Sequence, residues 1–248
     1  MRKRRYIRSL FLSFFLVGVD QVGVRRLLQC YGHSAGINSC TIPALPLKEV
    51  AKRRHCRENH GAFPLNTPDI QDLKTFRLPP NFRGRSGFVV QLWWLVQSTV
   101  FRASPQVMYG FRRWLLRQFG AQIGEGVRIR PSVEIPYPWK LQIGDYSWIG
   151  DHAVLYTFAK ITIGHNVVIS QKSYLCAGTH DYRSAGFDIQ AFPIVIEDEA
   201  WLAADVFVAP GVTVGKGAVV GSRSSVFGDV PPMMVCVGSP ARPVHARL

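Results

Sequence analysis

A repeat of six residues runs through the second half of the chain and limits its fold more than any other feature. From Ile123 onward, each unit opens with an aliphatic residue, often followed by Gly or another small residue, and has a small or β-branched residue at its fifth place. Self-similarity at a fixed period is typical of solenoid proteins, so one structural unit is expected to recur. The opening positions, all aliphatic, are 123, 129, 135, 143, 149, 155, 163, 169, 175, 196, 202, 208, 214, 220 and 226.

This period fits neither an amphipathic helix nor an alternating strand. A helix needs apolar residues three and four positions apart, and an exposed strand needs them two apart. A period of six with a turn in each unit instead predicts a coil of three short strands, in which one aliphatic side chain per strand points inward and stacks on the next coil. The 20-residue steps from Ile123 to Ile143 and Ile163 predict such coils with two-residue bulges. An ordinary β-sandwich, the alternative, would show irregular spacing.

Six stretches of the sequence resemble the hexapeptide-repeat acyltransferases, from about Asp69 to Leu248. The resemblance is greatest to the WcaF type of colanic acid biosynthesis acetyltransferases, among the maltose, galactoside and nodulation O-acetyltransferases. It implies an all-β fold, a left-handed parallel β-helix with N-terminal capping helices. The left hand is implied by the family alone, since spacing cannot decide it. The stretches are DLKTFRLPPNFRG, QLWWLVQSTVFRASPQ, IGDYSWIGD, ISQKSYLCAGTHDY, PIVIEDEAWLAADVFVAPGV and VPPMMVCVGSPARPV.

The chain is expected to divide into a leader, a cap, a repeat domain and a tail. Within the repeat domain, residues 181–193 interrupt the six-residue rhythm and are predicted to form a loop. The predicted bounds are 1–68 for an irregular basic leader, 69–120 for the helical cap, 121–238 for the β-helix and 239–248 for the C-terminal tail.

The net charge of +14 does not indicate a nucleic-acid-binding protein, because much of it lies in the leader. Residues 1–68 hold 12 Lys and Arg against 3 Asp and Glu, and the remainder lacks a clustered basic stripe. Two interpretations of the leader stay open: a poorly ordered, non-native stretch translated from a start codon too far upstream, or a membrane anchor. Its apolar run from Leu10 to Val19 is short for a spanning helix, which needs about 20 residues. Five irregularly spaced cysteines are compatible with a reducing cytoplasm.

Two helices are predicted before the repeats, over 88–101 and 108–120. The first is apolar nearly all round, and the second sets arginines against a Trp-Leu-Phe face. Two roles stay open and are compatible with each other. The helices can cap the N-terminal end of the solenoid, or they can dock peripherally on the inner face of the cytoplasmic membrane, since Trp and Arg suit that boundary.

His180 is the candidate general base. Transfer of an acetyl group from a thioester to a hydroxyl needs a base for the hydroxyl proton, and neutral imidazole is the usual one. His180 closes a repeat unit, precedes Asp181 and opens the long break in the rhythm, and the resemblance places the catalytic histidine of the family at this position. His152 and His165 lie inside coils at positions expected to face solvent.

The acceptor site is expected beside His180. Asp181 is a candidate either to orient the imidazole or to meet the acceptor. The loop residues Tyr182, Arg183 and Asp188 are candidate acceptor contacts, with solvated loop side chains as the equal alternative. Where the galactoside and maltose enzymes place an acceptor-binding asparagine, this sequence has Gly150 followed by Asp151, which argues against an acceptor of that kind.

The resemblance also implies the site for the donor, acetyl coenzyme A. Trp201 matches an aromatic residue beside the pantetheine, Ala203 and Ala204 match small residues that let the backbone reach its amides, and Ser222 matches another small residue one coil later. Arg223 and Arg242 are candidates to supply charge for the phosphates, because two basic family residues are missing.

The resulting hypothesis is an acetyl-CoA-dependent O-acetyltransferase of exopolysaccharide biosynthesis, colanic-acid-like, located in the cytoplasm. The expected acceptor is a lipid-linked or nucleotide-linked sugar, and the family implies a homotrimer with each site between two chains. No metal and no nucleic acid are expected. The alternatives are a zinc-dependent γ-type carbonic anhydrase, which needs a histidine pair five apart that this sequence lacks, and a non-catalytic scaffold.

Overall fold

A computed structural model describes residues 70–248, and short strands wound into a three-sided solenoid form most of this part of the chain. The predicted leader and its two interpretations therefore lie outside the described residues. The solenoid strands are β1 (Gln122–Ile123), β2 (Arg128–Ile129), β3 (Leu141–Ile143), β4 (Trp148–Ile149), β5 (Val154–Tyr156), β6 (Ile161–Ile163), β7 (Val168–Ile169), β8 (Tyr174–Cys176), β11 (Ile194–Ile196), β12 (Trp201–Leu202), β13 (Phe207–Val208), β14 (Thr213–Val214), β15 (Val219–Val220), β16 (Ser225–Val226) and β17 (Met234–Val237).

The strands form three sheets, one on each side of the solenoid. Sheet one has the order β1-β3-β6-β11-β14, and sheet three has the order β5-β8-β13-β16. Sheet two runs from β2 through β4, β7, β12 and β15 to β17, and the C-terminal strand β18 (Arg242–Ala246) closes it in antiparallel pairing with β17. All other pairings in these sheets are parallel and in register, so that Ile143 lies between Ile123 and Ile163.

The predicted repeat is confirmed by the burial of its opening residues. All fifteen are buried, and the most exposed of them, Ile123, shows only 6% of its surface. Most of the small or β-branched residues at the fifth place are buried as well, as in Val127 and Ala153, whereas Ala159 is half-buried and Thr179 is exposed. Each coil thus buries its apolar side chains against the coils above and below, which is how a solenoid builds a continuous core from short strands.

Tight turns between the strands place some residues in the left-handed region. The fourth residue of ten units has a φ between 55° and 82°, and most of these residues are not glycine. His152 is one of them, with φ 57°. Glycines at the second place, such as Gly144, allow close stacking, because a Cβ there would lie 2.7 Å from the carbonyl of Gly164 in the next coil.

The helical cap covers the first coil, as the sequence predicted. Helix α1 (Gly87–Val96) continues into a π-helical turn (Gln97–Phe101), and α2 (Tyr109–Gln118) packs on β1 and β2. The indole of Trp93, fully buried, donates to the carbonyl of Ile135 at 2.6 Å. Within residues 70–248, no helix combines the length and the apolar character needed to cross a membrane.

Three arginines of α2 bind backbone carbonyls of the first coil. Arg112 is fully buried and donates to the carbonyl of Ile129 at 2.7 Å. Arg113 binds the carbonyl of Val127, and Arg117 binds that of Ile123. These carbonyls lie at the open end of the solenoid, where no further coil could pair with them. Three positive charges of the chain therefore stabilise the end of the solenoid by binding backbone carbonyls.

Candidate active site

The residues predicted for the site fall on two edges of the solenoid. The loop edge is the turn from sheet three to sheet one, where residues 181–193 are inserted between the third and fourth coils. The groove edge is the turn from sheet two to sheet three, at residues 130–132, 150–152, 170–172, 203–205 and 221–223. Within one chain, sheet three lies between these edges.

His180 lies on the loop edge, at the end of a short hairpin. Strand β9 (Gly178–His180) pairs antiparallel with β10 (Ile189–Ala191), so the insertion is ordered rather than a simple loop. The imidazole, half-buried, stacks on the ring of Phe187 with centroids 4.3 Å apart and planes 10° apart. The ring of Phe76 lies 6.3 Å from it, tilted by 49°. The two phenyl rings thus restrict the orientation of the imidazole.

A backbone carbonyl determines which nitrogen of His180 carries the proton. The Nδ1 atom lies 2.8 Å from the carbonyl oxygen of Phe187. A carbonyl oxygen can only accept, so the neutral ring must donate from Nδ1 and keep the lone pair on Nε2. This is the arrangement that a general base requires, since a lone pair can take a hydroxyl proton.

Two predicted acidic residues shape the loop around His180. The carboxylate of Asp181 accepts from the backbone N–H of Arg183 at 2.9 Å, and no hydrogen bond joins it to the imidazole within the described part of the chain. The carboxylate of Asp188 accepts from the hydroxyl of Ser184 at 2.6 Å, while its carbonyl accepts from the N–H of Asp181. The orienting partner of His180 is therefore the Phe187 carbonyl, which sequence reasoning did not find.

The tip of the loop presents the other two candidates to solvent. Tyr182 is 71% exposed, and the guanidinium of Arg183 lies 5.6 Å from the centre of its ring. Neither side chain is held by the core, so both are available to an acceptor, and their role stays a prediction.

A segment before the cap packs over the loop. The N–H of Asp72 donates to the carbonyl of Ala185 at 2.7 Å, and the hydroxyl of Thr75 binds the carbonyl of Asp72. The same segment carries Phe76 to the imidazole of His180. Sequence reasoning found the resemblance of this stretch but not its contact with the catalytic loop, because the contact joins residues more than a hundred positions apart.

The candidates for the donor site lie on or beside the groove edge. Trp201 is on sheet two, 44% exposed, and its indole N–H donates to the hydroxyl of Ser170 at 3.1 Å. Ala203 and Ala204 follow at the edge, where Ala203 is buried and Ala204 is half-buried. Ser222 lies one coil further along, since the N–H of the next residue, Arg223, donates to the carbonyl of Ala204.

The two candidate arginines are both exposed. The side chain of Arg223 is 85% exposed and lies 3.5 Å from the carboxylate of Asp205. Arg242 begins β18, opposite Val237 at the C-terminal end of sheet two. Both can reach solvent where the phosphates of a bound coenzyme would lie, and their role stays a prediction.

The predicted acceptor positions Gly150 and Asp151 lie lower on the same edge. Gly150 lines a cavity of about 250 Å³ that spans the first three coils. A Cβ at Gly150 would lie 2.6 Å from the backbone nitrogen of Gln171, so there is no room for a side chain at this position. Only the backbone of Gly150 could contact an acceptor. The carboxylate of Asp151 binds Arg130 at 3.2 Å and accepts from the hydroxyl of Ser132.

The other histidines of the coils are exposed, as predicted. His152 occupies a turn, and the Nδ1 atom of His165 accepts from the N–H of Asp145 at 2.9 Å. Among residues 70–248, no three His, Cys, Asp or Glu side chains come together as ligands of a metal would.

Known proteins similar to this chain are acetyltransferases. "Putative colanic acid biosynthesis acetyltransferase WcaF" of Escherichia coli K12 is 59% identical over 179 residues, which cover 72% of this chain and 98% of that protein. The galactoside O-acetyltransferase of the same organism is 31% identical over 138 residues, 54% of this chain and 68% of that protein. No model of a protein family matches the sequence.

Solved structures show the same architecture. A hexapeptide-repeat acetyltransferase of Vibrio cholerae O1 biovar eltor, solved in complex with acetyl coenzyme A, aligns with a TM-score of 0.57 and 28% identity. The alignment covers 66% of this chain and 86% of that one.

Proposed function

This chain belongs to the WcaF-type hexapeptide-repeat acetyltransferases, and from that premise we propose that it transfers acetyl from acetyl coenzyme A to a sugar hydroxyl. Its fold is the left-handed parallel β-helix of the family. The observation that carries the proposal is the hydrogen bond from His180 Nδ1 to the carbonyl of Phe187, which leaves Nε2 as a base. The acceptor is a building block of an exopolysaccharide of the colanic acid kind, in line with the name of the relative from Escherichia coli.

His180 moves one proton in each direction during the reaction. Its Nε2 atom takes the proton of the acceptor hydroxyl as that oxygen attacks the thioester carbonyl and forms the new C–O bond. When the C–S bond breaks, the imidazolium returns the proton to the departing thiolate. The Phe187 carbonyl accepts from Nδ1 in both protonation states, so the ring need not turn between the two steps.

The groove edge holds the donor. Acetyl coenzyme A is bound with its pantetheine along Ala203 and Ala204, beside the indole of Trp201, and its phosphates toward Arg223 and Arg242. The support for this arrangement is the small size of the groove residues and the position of both arginines further along the same end of the solenoid. The related structure from Vibrio cholerae, which is 28% identical, contains acetyl coenzyme A.

The active site forms between two copies of the chain, in a homotrimer. Within one chain His180 lies on the loop edge and Trp201 beside the groove edge, with sheet three between them. A loop of one copy must therefore meet the groove edge of the next copy for the base to reach the thioester. Sheet three supports this packing with a column of outward aromatic side chains, including Tyr174, Phe207 and the 61% exposed Phe227.

The decisive variant for this function is His180→Ala. Transfer of labelled acetyl to surface polysaccharide precursors is expected to fall by about 100-fold or more, because general base catalysis contributes at least that factor. His165→Ala is the matched control, since this exposed histidine lies inside a coil away from the loop, and it should keep wild-type activity. Unchanged transfer by the His180 variant would sink the assignment. Mass spectrometry of polysaccharide O-acetylation in cells with and without the gene identifies the product.

The cap supports a peripheral contact with the membrane. Phe88, Leu92 and Leu95 form an exposed apolar stripe on α1, with exposures of 77%, 40% and 60%. Trp114 of α2 is 54% exposed, and Arg102 is exposed beside the π-helical turn. An apolar stripe with aromatic and basic neighbours suits the interface of an anionic bilayer.

This contact is tested by flotation with vesicles. Wild-type protein should float with vesicles that contain anionic lipid, and Phe88→Asp/Leu95→Asp should not, while both keep the same thermal unfolding. Equal flotation of the two proteins would exclude this stripe as the contact.

A further inference from the structure

The cavity on the lower part of the groove edge has no place in the donor site. Its volume is about 250 Å³, and it spans the first three coils, below Trp201 in the fourth. Its lining includes two arginines, two aromatic residues and a hydroxyl: Tyr109, Arg128, Arg130, Trp148, Gly150 and Ser170. Exposed polar and aromatic side chains around a concavity are typical of a site for a small polar ligand.

The cavity carries an excess of positive charge. Arg130 has one carboxylate partner, Asp151, at 3.2 Å, and its Nη1 atom is buried without a hydrogen-bond partner among residues 70–248. The guanidinium of Arg128 lies over the ring of Trp148 at 4.9 Å, which holds the charge in place without neutralising it. The Arg130 side chain as a whole is 32% exposed, so its accessible guanidinium atoms can donate to an acceptor group supplied by a ligand.

A third arginine, Arg112, adds positive charge next to Arg130. Arg112 is fully buried, and its guanidinium donates to uncharged oxygens, including the hydroxyl of Ser104 and the carbonyls of Ile129 and Pro105. Burial lowers the pKa of Arg112, Tyr109 raises it, and the charge of Arg130 lowers it again, which shows that the two guanidinium groups repel each other. The cavity and its surroundings thus contain three guanidinium groups and one carboxylate, that of Asp151, to neutralise them.

The position of the cavity relates it to the reaction. Ser170 lines the cavity and also accepts the indole N–H of Trp201, so the cavity reaches the level of the donor groove. Parallel strands lie about 4.8 Å apart, which places the arginines of the first coil about 10 Å below Ser170 along the edge. In the proposed homotrimer, the loop that carries His180 of the neighbouring copy meets this edge at the level between the third and fourth coils, which is the upper end of this span. One sugar unit can therefore lie between the arginines and the reacting hydroxyl.

We propose that the acceptor is a glycosyl phosphate or diphosphate whose phosphate oxygens are bound by Arg128 and Arg130 in this cavity. The inference rests on the proposed function, because it names the substrate class of that same site. Guanidinium groups bind phosphate oxygens through paired, charge-assisted hydrogen bonds, which a neutral sugar cannot offer. A nucleotide-linked sugar and a polyprenyl-linked sugar share this group and are separated by the test.

The experiment measures ligand binding by calorimetry on the full chain with the donor groove filled by saturating coenzyme A. The probes are UDP, farnesyl diphosphate, glucose and glucuronate. The variants are Arg128→Gln/Arg130→Gln and the charge-retaining Arg128→Lys/Arg130→Lys. Arg85→Gln/Arg102→Gln is the control, because it removes two exposed arginines of the cap that do not line the cavity.

At least one diphosphate is expected to bind, and the double Gln variant should weaken it about tenfold or more, which corresponds to about 1.4 kcal/mol. The Lys variant and the control should bind it more tightly than the Gln variant. Preference for UDP indicates a nucleotide-linked acceptor, and preference for farnesyl diphosphate a lipid-linked one. The proposal is overturned if neither diphosphate binds, if the Gln variant binds them as well as wild type, or if it weakens coenzyme A instead.

A parallel assay separates this inference from the proposed function. Acetyl transfer to a panel of UDP-hexoses, polyprenyl-diphosphate-linked hexoses and the corresponding free hexoses is measured with wild type and His180→Ala. Transfer to free hexoses alone, lost in the His180 variant, would leave the function standing and overturn the phosphate site. Diphosphate binding that depends on the arginines, without any transfer, would support the site and contradict the function.

Discussion

The proton on the imidazole of His180 is fixed by one backbone oxygen. The carbonyl of Phe187 can only accept, so it selects the Nδ1–H form of the neutral ring. His165 provides the opposite case within the same chain, because its Nδ1 atom accepts from the N–H of Asp145, so the neutral ring must carry its proton on Nε2. Backbone groups thus favour different tautomers in the two histidines, although the carboxylate of Asp145, 3.3 Å from Nδ1 of His165, attracts a proton to that atom.

Nitrogen NMR of the histidine side chains tests this difference. In protein labelled with ¹⁵N at histidine, His180 should show a protonated Nδ1 and an unprotonated Nε2, and His165 the reverse, at a pH where both are neutral. Assignment comes from the single variants His180→Ala and His165→Ala. A protonated Nε2 on neutral His180 would show that this atom has no lone pair for the hydroxyl proton, and it would contradict the role of His180 as the base.

A larger side chain in the groove should affect the donor and leave the fold intact. Ala204 is half-buried at the groove edge, and Ala204→Leu is expected to raise the KM for acetyl coenzyme A about tenfold or more, because the added atoms occupy space needed by the pantetheine. Thr162→Leu is the control, since Thr162 is equally half-buried but lies on sheet one. Steady-state kinetics distinguishes the two variants. An unchanged KM for the Ala204 variant would show that the pantetheine does not lie at this residue.

At the level of residues, sequence and structure contributed different parts of the site. His180 was found from the sequence because it ends the repeat, which is a local signal. Phe187 was not found, since its role depends on a carbonyl that any residue carries. The sequence did not single out the two arginines of the cavity, Arg128 and Arg130, because only the fold brings them to one concavity.

The coils are held by contacts that leave no room for side chains at certain turns. A Cβ on Gly144 would lie 2.7 Å from the backbone of Gly164 in the next coil, and 2.8 Å from the nitrogen of His165. These are backbone atoms on both sides, so the coils would have to separate locally to admit a methyl group.

Gly144→Ala is therefore expected to lower the free energy of unfolding by about 1–3 kcal/mol. Gly228→Ala is the matched control, because nothing lies within 4 Å of a Cβ at that position, and it should change stability by less than about 0.5 kcal/mol. Urea unfolding followed by circular dichroism measures both. Equal effects would contradict the clash, because the change in unfolded-chain entropy that both substitutions share favours the folded state.

The aromatic column of sheet three makes stability depend on alkaline pH. Burial, with smaller contributions from Cys176 and Tyr137, raises the pKa of Tyr156 to about 12, and burial also raises the pKa of Tyr174. The folded protein therefore keeps protons that the unfolded chain releases above about pH 10. The free energy of unfolding should fall as pH rises from about 10 to 12. Tyr156→Phe/Tyr174→Phe should show a smaller fall, and an identical fall in both proteins would contradict these shifts.

At the level of elements, the repeat predicted the solenoid strands because each unit obeys the same local rule. The hairpin of β9 and β10 inside the break was not predicted, nor was β18 in the segment interpreted as a tail. Both depend on antiparallel pairing with a neighbouring strand. Strand β18 is also difficult to predict because it contains Pro243, and proline is rare in strands.

At the level of the whole molecule, the proposed site requires two copies of the chain. The loop edge carries His180, and the groove edge carries the alanines of the donor groove, on opposite sides of sheet three. A cyclic assembly of identical chains brings the loop edge of each copy against the groove edge of the next, and three such contacts close a ring. A variant with a defective loop and a variant with a defective groove should then restore acetyl transfer when both are present in one assembly.

The most direct measurement combines two variants in one assembly: His180→Ala, which lacks the base, and Ala204→Leu, which binds the donor weakly. The two chains are co-expressed with different tags, mixed oligomers are isolated through both tags, and acetyl transfer is measured at low acetyl coenzyme A. Each mixed trimer has one interface of its three with an intact loop from one chain and an intact groove from the other, so about a third of wild-type activity should return. Activity no higher than that of the separate variants would show that each chain works alone and would contradict a shared site.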